Sequence, residues 1–183
     1  DLMNQEKKYK QEQFHYDSED VINITVPFMM TISGKTGSGK TNVMLDIHKK
    51  INCWEIIYLC VKDPDEPLYK WFTDKVREVE KKNGIKILTV IDNILKLPSV
   101  DDFMKDRDVK KQMLFIFDDL ITEKDKLLNR VGEWFIRGRK VFASCAFLSQ
   151  SYFMTPKVVR KNCSQIVLKH IAQETDLKRI LSD

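Results

Sequence analysis

At 183 residues the chain has the length of one large domain, and its 32% charged and 43% hydrophobic residues are ordinary for a soluble globular protein. No apolar run approaches the roughly 20 residues a membrane-crossing helix needs, so no membrane span is expected. The formal net charge of +4, from 31 basic and 27 acidic residues, is too balanced to establish a nucleic-acid partner by electrostatics alone.

Residues 1–20, with Glu6-Lys7-Lys8-Tyr9-Lys10 and Asp17-Ser18-Glu19-Asp20, are polar and lack an apolar period. They read as an N-terminal arm outside a domain that spans residues 21–183. Val21 to Val26 is rich in β-branched residues and predicts a short edge strand before Pro27. Phe28 to Ser33 predicts a buried strand, and it runs directly into Gly34-Lys35-Thr36-Gly37-Ser38-Gly39-Lys40-Thr41. This is an unbroken G-x-x-x-x-G-K-[ST] phosphate-binding loop, set between a strand and a helical pattern as its chemistry requires. Its three glycines let the backbone curl until several N–H groups point at one place, and the helix that follows adds its positive dipole end there. In such a nest Lys40 reaches the β- and γ-phosphates of a nucleotide, and the Thr41 hydroxyl holds a magnesium ion bridging them.

Beyond Thr41, Val43, Met44, Ile47 and Ile51 fall on one helical face, with Lys49 and Lys50 late in the helix where its dipole favours cations. Glu55 to Val61 is a continuous apolar run of strand length, as in a parallel strand covered on both faces. After Asp63-Pro64-Asp65-Glu66-Pro67 breaks the chain, Leu68, Trp71, Phe72, Val76 and Val79 repeat at helical spacing up to Asn83-Gly84. Ile85 to Ile91 predicts a third strand. Residues 92–112 are irregular, with a charged span around Asp101-Asp102 and Lys105-Asp106-Arg107-Asp108. Met113 to Phe117 is a buried strand ending in Asp118-Asp119. Leu127, Leu128, Val131, Trp134 and Phe135 then form an amphipathic helix closed by Arg137-Gly138-Arg139. Val141 to Leu148 is the next buried strand, ending in Ser149-Gln150-Ser151. Pro156 to Arg160 predicts a helical turn, Ser164 to Lys169 a strand and Thr175 to Leu181 a terminal helix.

Strands alternating with helices predict an α/β fold with an open, mostly parallel sheet and helices on both faces. Ligands of such sheets sit at the carboxyl ends of the strands, where the phosphate loop, Asp118-Asp119 and Gln150 all fall. Asp118 fits a magnesium-holding Walker B carboxylate and Asp119 a base that orients a water toward the γ-phosphate. Gln150 fits a sensor of that phosphate or its water. Arg137, Arg139 and Arg160 are the basic residues placed nearest these strand ends, and one of them fits an arginine finger reaching into a neighbouring subunit. Each of these side chains also has a plainer reading: a strand-end carboxylate capping a turn, a glutamine bonding its own turn, or ordinary surface arginines.

The interval from Lys40 to Asp118 holds at least two strand-like runs, leaving room for an extra strand between the two motif-bearing strands. That insertion marks the RecA-like class of P-loop NTPases. Asp119-Leu120-Ile121 is not D-x-x-G and no N-K-x-D tetrad occurs, so ATP is the expected nucleotide. The four cysteines, Cys53, Cys60, Cys145 and Cys163, show no C-x-x-C spacing and read as reduced core residues, while His15, His48 and His170 are dispersed and read as surface or element-end residues. A start at Asp1 and an end inside a helical pattern are what a piece of a longer protein would show, and neither end resembles a signal peptide, so secretion is not expected.

Taken together, the phosphate loop, Phe117-Asp118-Asp119-Leu120, Phe135-Ile136-Arg137-Gly138-Arg139, the strand ending Phe147-Leu148-Ser149-Gln150-Ser151-Tyr152-Phe153, and Pro156-Lys157-Val158-Val159-Arg160-Lys161-Asn162 resemble the FtsK/HerA superfamily. Within it the chain is most similar to the poxvirus-type genome-packaging ATPases of large eukaryotic DNA viruses and virophages, over about residues 28–170. The resemblance implies a ring of five or six subunits that uses ATP and Mg2+ to pull double-stranded DNA into a capsid. Capsid or portal proteins would be its partners, and the virion or the cytoplasmic assembly site its location. It implies nucleotide binding by Gly34 to Thr41, magnesium at Thr41 and Asp118, water activation by Asp119, sensing by Gln150, and a trans-acting arginine among Arg137, Arg139 and Arg160. Bacterial members carry Asp-Glu where Asp118-Asp119 stands, and viral relatives often carry His where Lys140 stands. From the residues alone, a P-loop phosphotransferase acting on a small molecule and a nucleotide-gated assembly module stand as alternatives.

Overall fold

The computed structural model describes residues 14–15, 24–105, 111–120, 125–170 and 174–182. Strand β3 (Met29–Gly34) leads into α1 (Lys40–Ile51), β4 (Ile56–Val61), α2 (Pro67–Asn83), β5 (Leu88–Ile91) and the short α3 (Val100–Met104). Then come β6 (Met113–Asp118), α4 (Asp125–Arg137), β7 (Ala143–Ser149), α5 (Lys157–Asn162), β8 (Gln165–Lys169) and α6 (Glu174–Ser182). Six strands form one sheet in the order β5-β4-β6-β7-β3-β8, parallel throughout. The expected N-terminal arm lies outside the described residues except for β1 (Phe14–His15), which pairs antiparallel with β2 (Thr25–Val26). Residues 21–23 of the expected edge strand and residues 106–108 of the expected charged span also lie outside them.

The period of two along each strand divides the core. On one face Met30, Ile32, Ile57, Leu59, Leu114 and Ile116 pack under α1 and α2, against Met44, Ile47, Phe72 and Val76. On the other face Met29, Phe115, Phe117, Ala143 and Phe147 pack under α3, α4 and α5, against Val131, Trp134 and Phe135. Trp134 lies on the Phe115 ring at 3.9 Å between centroids and donates its indole N–H to the Pro98 carbonyl at 3.1 Å. The indole is thereby buried without an orphaned donor. Cys60 and Cys145 are buried in this second core, and burial pushes both thiols up in pKa, which fits unreactive packing residues.

Two expectations need correction. The extra strand does not come from the interval between Lys40 and Asp118. Strands β4 and β5 of that interval lie beyond β6, and the strand between β3 and β6 is β7, which follows Asp118 in the chain. The helical face of α2 is also turned from its expected position. Tyr69, Phe72, Val76 and Glu80 are buried, whereas Trp71 is 55% and Val79 47% exposed. Two polar contacts set this rotation: Tyr69 meets Asp118, and Glu80 Oε1 accepts from the backbone N–H groups of Ile87 and Leu88 at 2.6 and 2.7 Å, capping the start of β5. Burial pushes the Glu80 carboxyl upward, but the hydrogen bonds from Leu88, Arg77 and Ile87 outweigh it and hold its pKa below the ordinary value.

His48 lies in the last turn of α1, an element-end position as expected, with its ring turned toward the core. It is half-buried on α1, edge-on to Phe72 at 5.2 Å between ring centroids, and burial pushes its pKa down from 6.5 to about 4. The unfolded chain therefore takes up this proton at about 6.5 and the folded chain only at about 4. His48 withholds nothing above pH 6.5, and stability falls as pH drops from 6.5 toward 4, by up to about 3 kcal/mol. In urea melts across this window the His48→Gln variant is expected to lose less stability than the wild type, and equal slopes would contradict the assignment.

Candidate nucleotide site

The phosphate loop bridges the carboxyl end of β3 and the first turn of α1, and its backbone allows few substitutes. Gly39 caps α1 at φ 81° and ψ 27°, a left-handed conformation that side chains with a Cβ rarely adopt. A Cβ on Gly34 would overlap the Lys169 carbonyl of β8 and come within 2.7 Å of Ser38 Oγ. The loop is closed by Ser38 N–H donating to Lys35 O at 3.1 Å and Val43 N–H to Gly39 O at 3.1 Å. The Lys40 ammonium folds over it, donating to Gly34 O at 2.8 Å and Lys35 O at 3.3 Å.

Two strands away Asp118 closes β6. Its Oδ2 accepts from Thr41 Oγ1 at 3.4 Å and from the phenol of Tyr69, which is 2% exposed on the first turns of α2. Burial pushes the Asp118 carboxyl up in pKa, opposed by the Tyr69 hydrogen bond and the Lys40 charge. Tyr69 is raised in pKa by burial and by the Asp118 charge, and is a neutral donor at ordinary pH. Asp119 is exposed at φ +56°. Between β3 and β6, the end of β7 is fixed by hydroxyls: Ser149 Oγ lies 2.9 Å from Ser33 Oγ and 2.8 Å from Thr155 Oγ1. Gln150 follows immediately and is exposed. Lys40, Thr41, Asp118, Asp119 and Gln150 thus line one cavity of about 410 Å³, with Thr36, Gly37 and Gly39 of the loop on its wall. Lys35 is exposed on the same loop, and Ser38 is half-buried within it.

The arginines are placed differently from one another. Arg137 ends α4, and Arg139 lies in the helical turn Gly138–Val141 that enters β7, whose first residue pairs with Met113, the first of β6. Gly138 lies beside Met29, the first residue of β3. Both arginines are therefore at the amino rim of the sheet, opposite Lys40, and not near the motif-bearing ends as expected from the sequence. The physical reason is that α4 leaves the carboxyl rim and must run back across the sheet before β7 can start in parallel. Arg137 is paired there with Asp101 and, at 3.4 Å, with Glu133. Arg160 stays on the motif side, its guanidinium 5.2 Å from the Tyr152 ring centroid and 5.6 Å from that of Phe153, just beyond Gln150.

Sequence reasoning missed Tyr69. Its place beside Asp118 follows from the pairing of Val61 with Asp118, which starts the helix entered at Pro67 beside the tip of β6 and which no local pattern reports. Among the described residues no group of three or more His, Cys, Asp or Glu side chains could hold a metal by itself. One hydroxyl and one carboxylate, both hard oxygen donors, suit a magnesium ion whose remaining ligands are phosphate oxygens and water.

No curated protein sequence matches the chain. Among solved structures it is similar to the cytoplasmic domain of EssC, at 10% identity and a TM-score of 0.60, covering 93% of this chain and 38% of that one, so it spans less than half the length of that structure. It is also similar to the genome packaging NTPase B204 from Sulfolobus turreted icosahedral virus 2 in complex with sulfate, at 14% identity and a TM-score of 0.60, covering 87% of this chain and 81% of that one. B204 from Sulfolobus turreted icosahedral virus, described as a DNA-packaging ATPase, matches at 17% identity and a TM-score of 0.56, covering 86% and 82%. At such identities these likenesses establish the fold, the RecA-like form of the P-loop NTPase sheet with a strand inserted between the two motif-bearing strands. A family model described as Poxvirus A32 protein matches residues 11–183, nearly the whole chain. On that match, the chain belongs to the Poxvirus A32 protein family.

Proposed function

We propose that the chain is an ATP-hydrolysing motor that translocates double-stranded DNA into a viral capsid, with an arm over residues 1–20 and the ATPase domain over 21–183. The observation that carries this reading is the meeting of the phosphate loop, Asp118, Asp119 and Gln150 around one cavity at the carboxyl rim. Membership of the Poxvirus A32 protein family and the fold shared with viral packaging NTPases support the same reading. Small-molecule P-loop kinases generally place the two motif strands side by side, whereas β7 stands between them here.

In this reading Gly34, Lys35, Thr36, Gly37, Ser38 and Gly39 wrap the triphosphate with backbone N–H groups. Lys40 exchanges its contacts with Gly34 O and Lys35 O for phosphate oxygens. Thr41 and Asp118 would hold magnesium, which would supply positive charge against the phosphates when bound. Asp119 accepts a proton from the attacking water, and Gln150, on the rigid tip of β7, responds to loss of the γ-phosphate. Arg137 and Arg139 lie on the far rim, away from this chain's own phosphate loop, and Arg160 packs over the rings of Tyr152 and Phe153, which follow Gln150 in the chain. One of the three supplies positive charge in trans within a ring of five or six copies, at a viral assembly site where capsid or portal proteins receive the DNA.

Steady-state ATP hydrolysis with and without duplex DNA, beside light scattering, tests this. The motor reading expects DNA to stimulate turnover severalfold in an oligomer. A monomer or dimer that makes ADP only with a small-molecule acceptor would instead identify a phosphotransferase, and bound nucleotide with negligible turnover under all conditions would identify an assembly module.

A further inference from the structure

Asp118 is held by more than the phosphate-loop helix. Three elements meet on its Oδ2: β6 supplies the carboxylate, α1 the Thr41 hydroxyl at 3.4 Å, and α2 the Tyr69 phenol. Tyr69 is 2% exposed within the core formed by α1, α2 and the sheet, alongside Phe72 and Met44. Phenylalanine would pack there equally well, and a buried hydroxyl is unfavourable unless it is hydrogen-bonded. Here its partner is the acceptor expected to face a magnesium ion.

We propose that Tyr69 is a positioning residue for the metal: its phenol O–H locks the Asp118 carboxylate in the orientation that magnesium binding requires. A carboxylate rotates broadly about its terminal torsion, and a single long contact from Thr41 does not fix it. A second donor on the same oxygen, carried by a helix on a different part of the sheet, fixes its plane. Groups that orient a metal ligand without touching the metal commonly change metal affinity by about 10- to 100-fold when removed. The same contact joins α2 directly to the tip of β6.

This inference rests on the nucleotide and magnesium reading of the site, and its test separates the two. Affinity for ADP and for a nonhydrolysable ATP analogue is measured by calorimetry with excess Mg2+ and with EDTA, in the wild type and in Tyr69→Phe, with a thermal melt confirming that the variant is folded. Mn2+ binding to the ADP complex, followed by paramagnetic resonance, gives the metal affinity directly. The expected result is that Tyr69→Phe keeps its metal-free nucleotide affinity within about twofold and binds Mn2+ about tenfold more weakly, with an equal loss in the Mg2+ enhancement of nucleotide affinity. Metal affinity that is unchanged or tighter would overturn the proposal. So would an equal loss of metal-free nucleotide affinity, since that marks a purely structural role. If the wild type shows no metal-dependent nucleotide binding at all, the reading of the site itself fails, whatever Tyr69 does.

Discussion

Replacing Lys40 with alanine is expected to lower ATP turnover by about 100- to 1000-fold, the loss seen when one preorganised charged donor is removed from a phosphoryl-transfer site. Nucleotide affinity should fall by about 10- to 100-fold, corresponding to hydrogen bonds made to a charged group. The fold should be little affected. Among the described residues the ammonium donates to the carbonyls of Gly34 and Lys35, and the side chain belongs to neither hydrophobic core. Calorimetry with ATP and a thermal melt on the same sample separate the two effects. Retained affinity in Lys40→Ala would mean that the phosphates do not lie in the loop.

The second large effect is expected at Asp119. Asp119→Asn should bind ATP within a few-fold of the wild type while hydrolysis falls by about 100- to 10,000-fold, the range that a positioned general base contributes. Asparagine is the informative substitution because the backbone at Asp119 is left-handed at φ +56°, a region that asparagine tolerates and alanine does not. Alanine would add backbone strain to the loss of the carboxylate and blur the result. Single-turnover hydrolysis with saturating nucleotide gives the answer, and an unchanged rate in Asp119→Asn would remove this carboxylate from the chemistry.

Much of the fold is written locally in the chain. Met113 to Phe117 and Phe28 to Ser33 are unbroken apolar runs because parallel strands are covered on both faces, and the strands lie within a residue or so of those runs. Helix α4 is equally legible, since Val131, Trp134 and Phe135 form one stripe and Arg137-Gly138 ends it. The phosphate loop is legible for a different reason: Gly37 and Gly39 are demanded by the local backbone, at φ 76° and 81°, whereas the approach of Lys169 that requires Gly34 comes from a distant strand.

What escaped the sequence reading depends on pairing between distant segments. The position of β7 between β3 and β6 is fixed by hydrogen bonds such as Phe28 N–H to Ser144 Oγ at 3.1 Å, spanning 116 residues, and no local pattern reports it. The rim on which Arg137 and Arg139 lie follows from the return path of α4, which becomes visible only once the strand order is known. Tyr69 was overlooked because Leu68, Trp71, Phe72, Val76 and Val79 make a respectable helical stripe. The helix turns instead to satisfy two carboxylates, Asp118 and Glu80, and leaves Trp71 and Val79 in solvent. A hydrophobic period ranks faces by apolar content and cannot weigh a polar contact with a residue elsewhere in the chain.

In the proposed motor one triphosphate occupies the cavity that the loop, β6 and β7 share. A crystal structure of the chain with Mg2+ and a nonhydrolysable ATP analogue tests it most directly. The expected result is phosphates wrapped by Gly34 to Thr41, with the terminal phosphate within reach of Lys40 and facing Asp118, Asp119 and Gln150. A nucleotide seated at the amino rim, or in any position that leaves Asp118 and Gln150 on the far side of the sheet from its γ-phosphate, would contradict it.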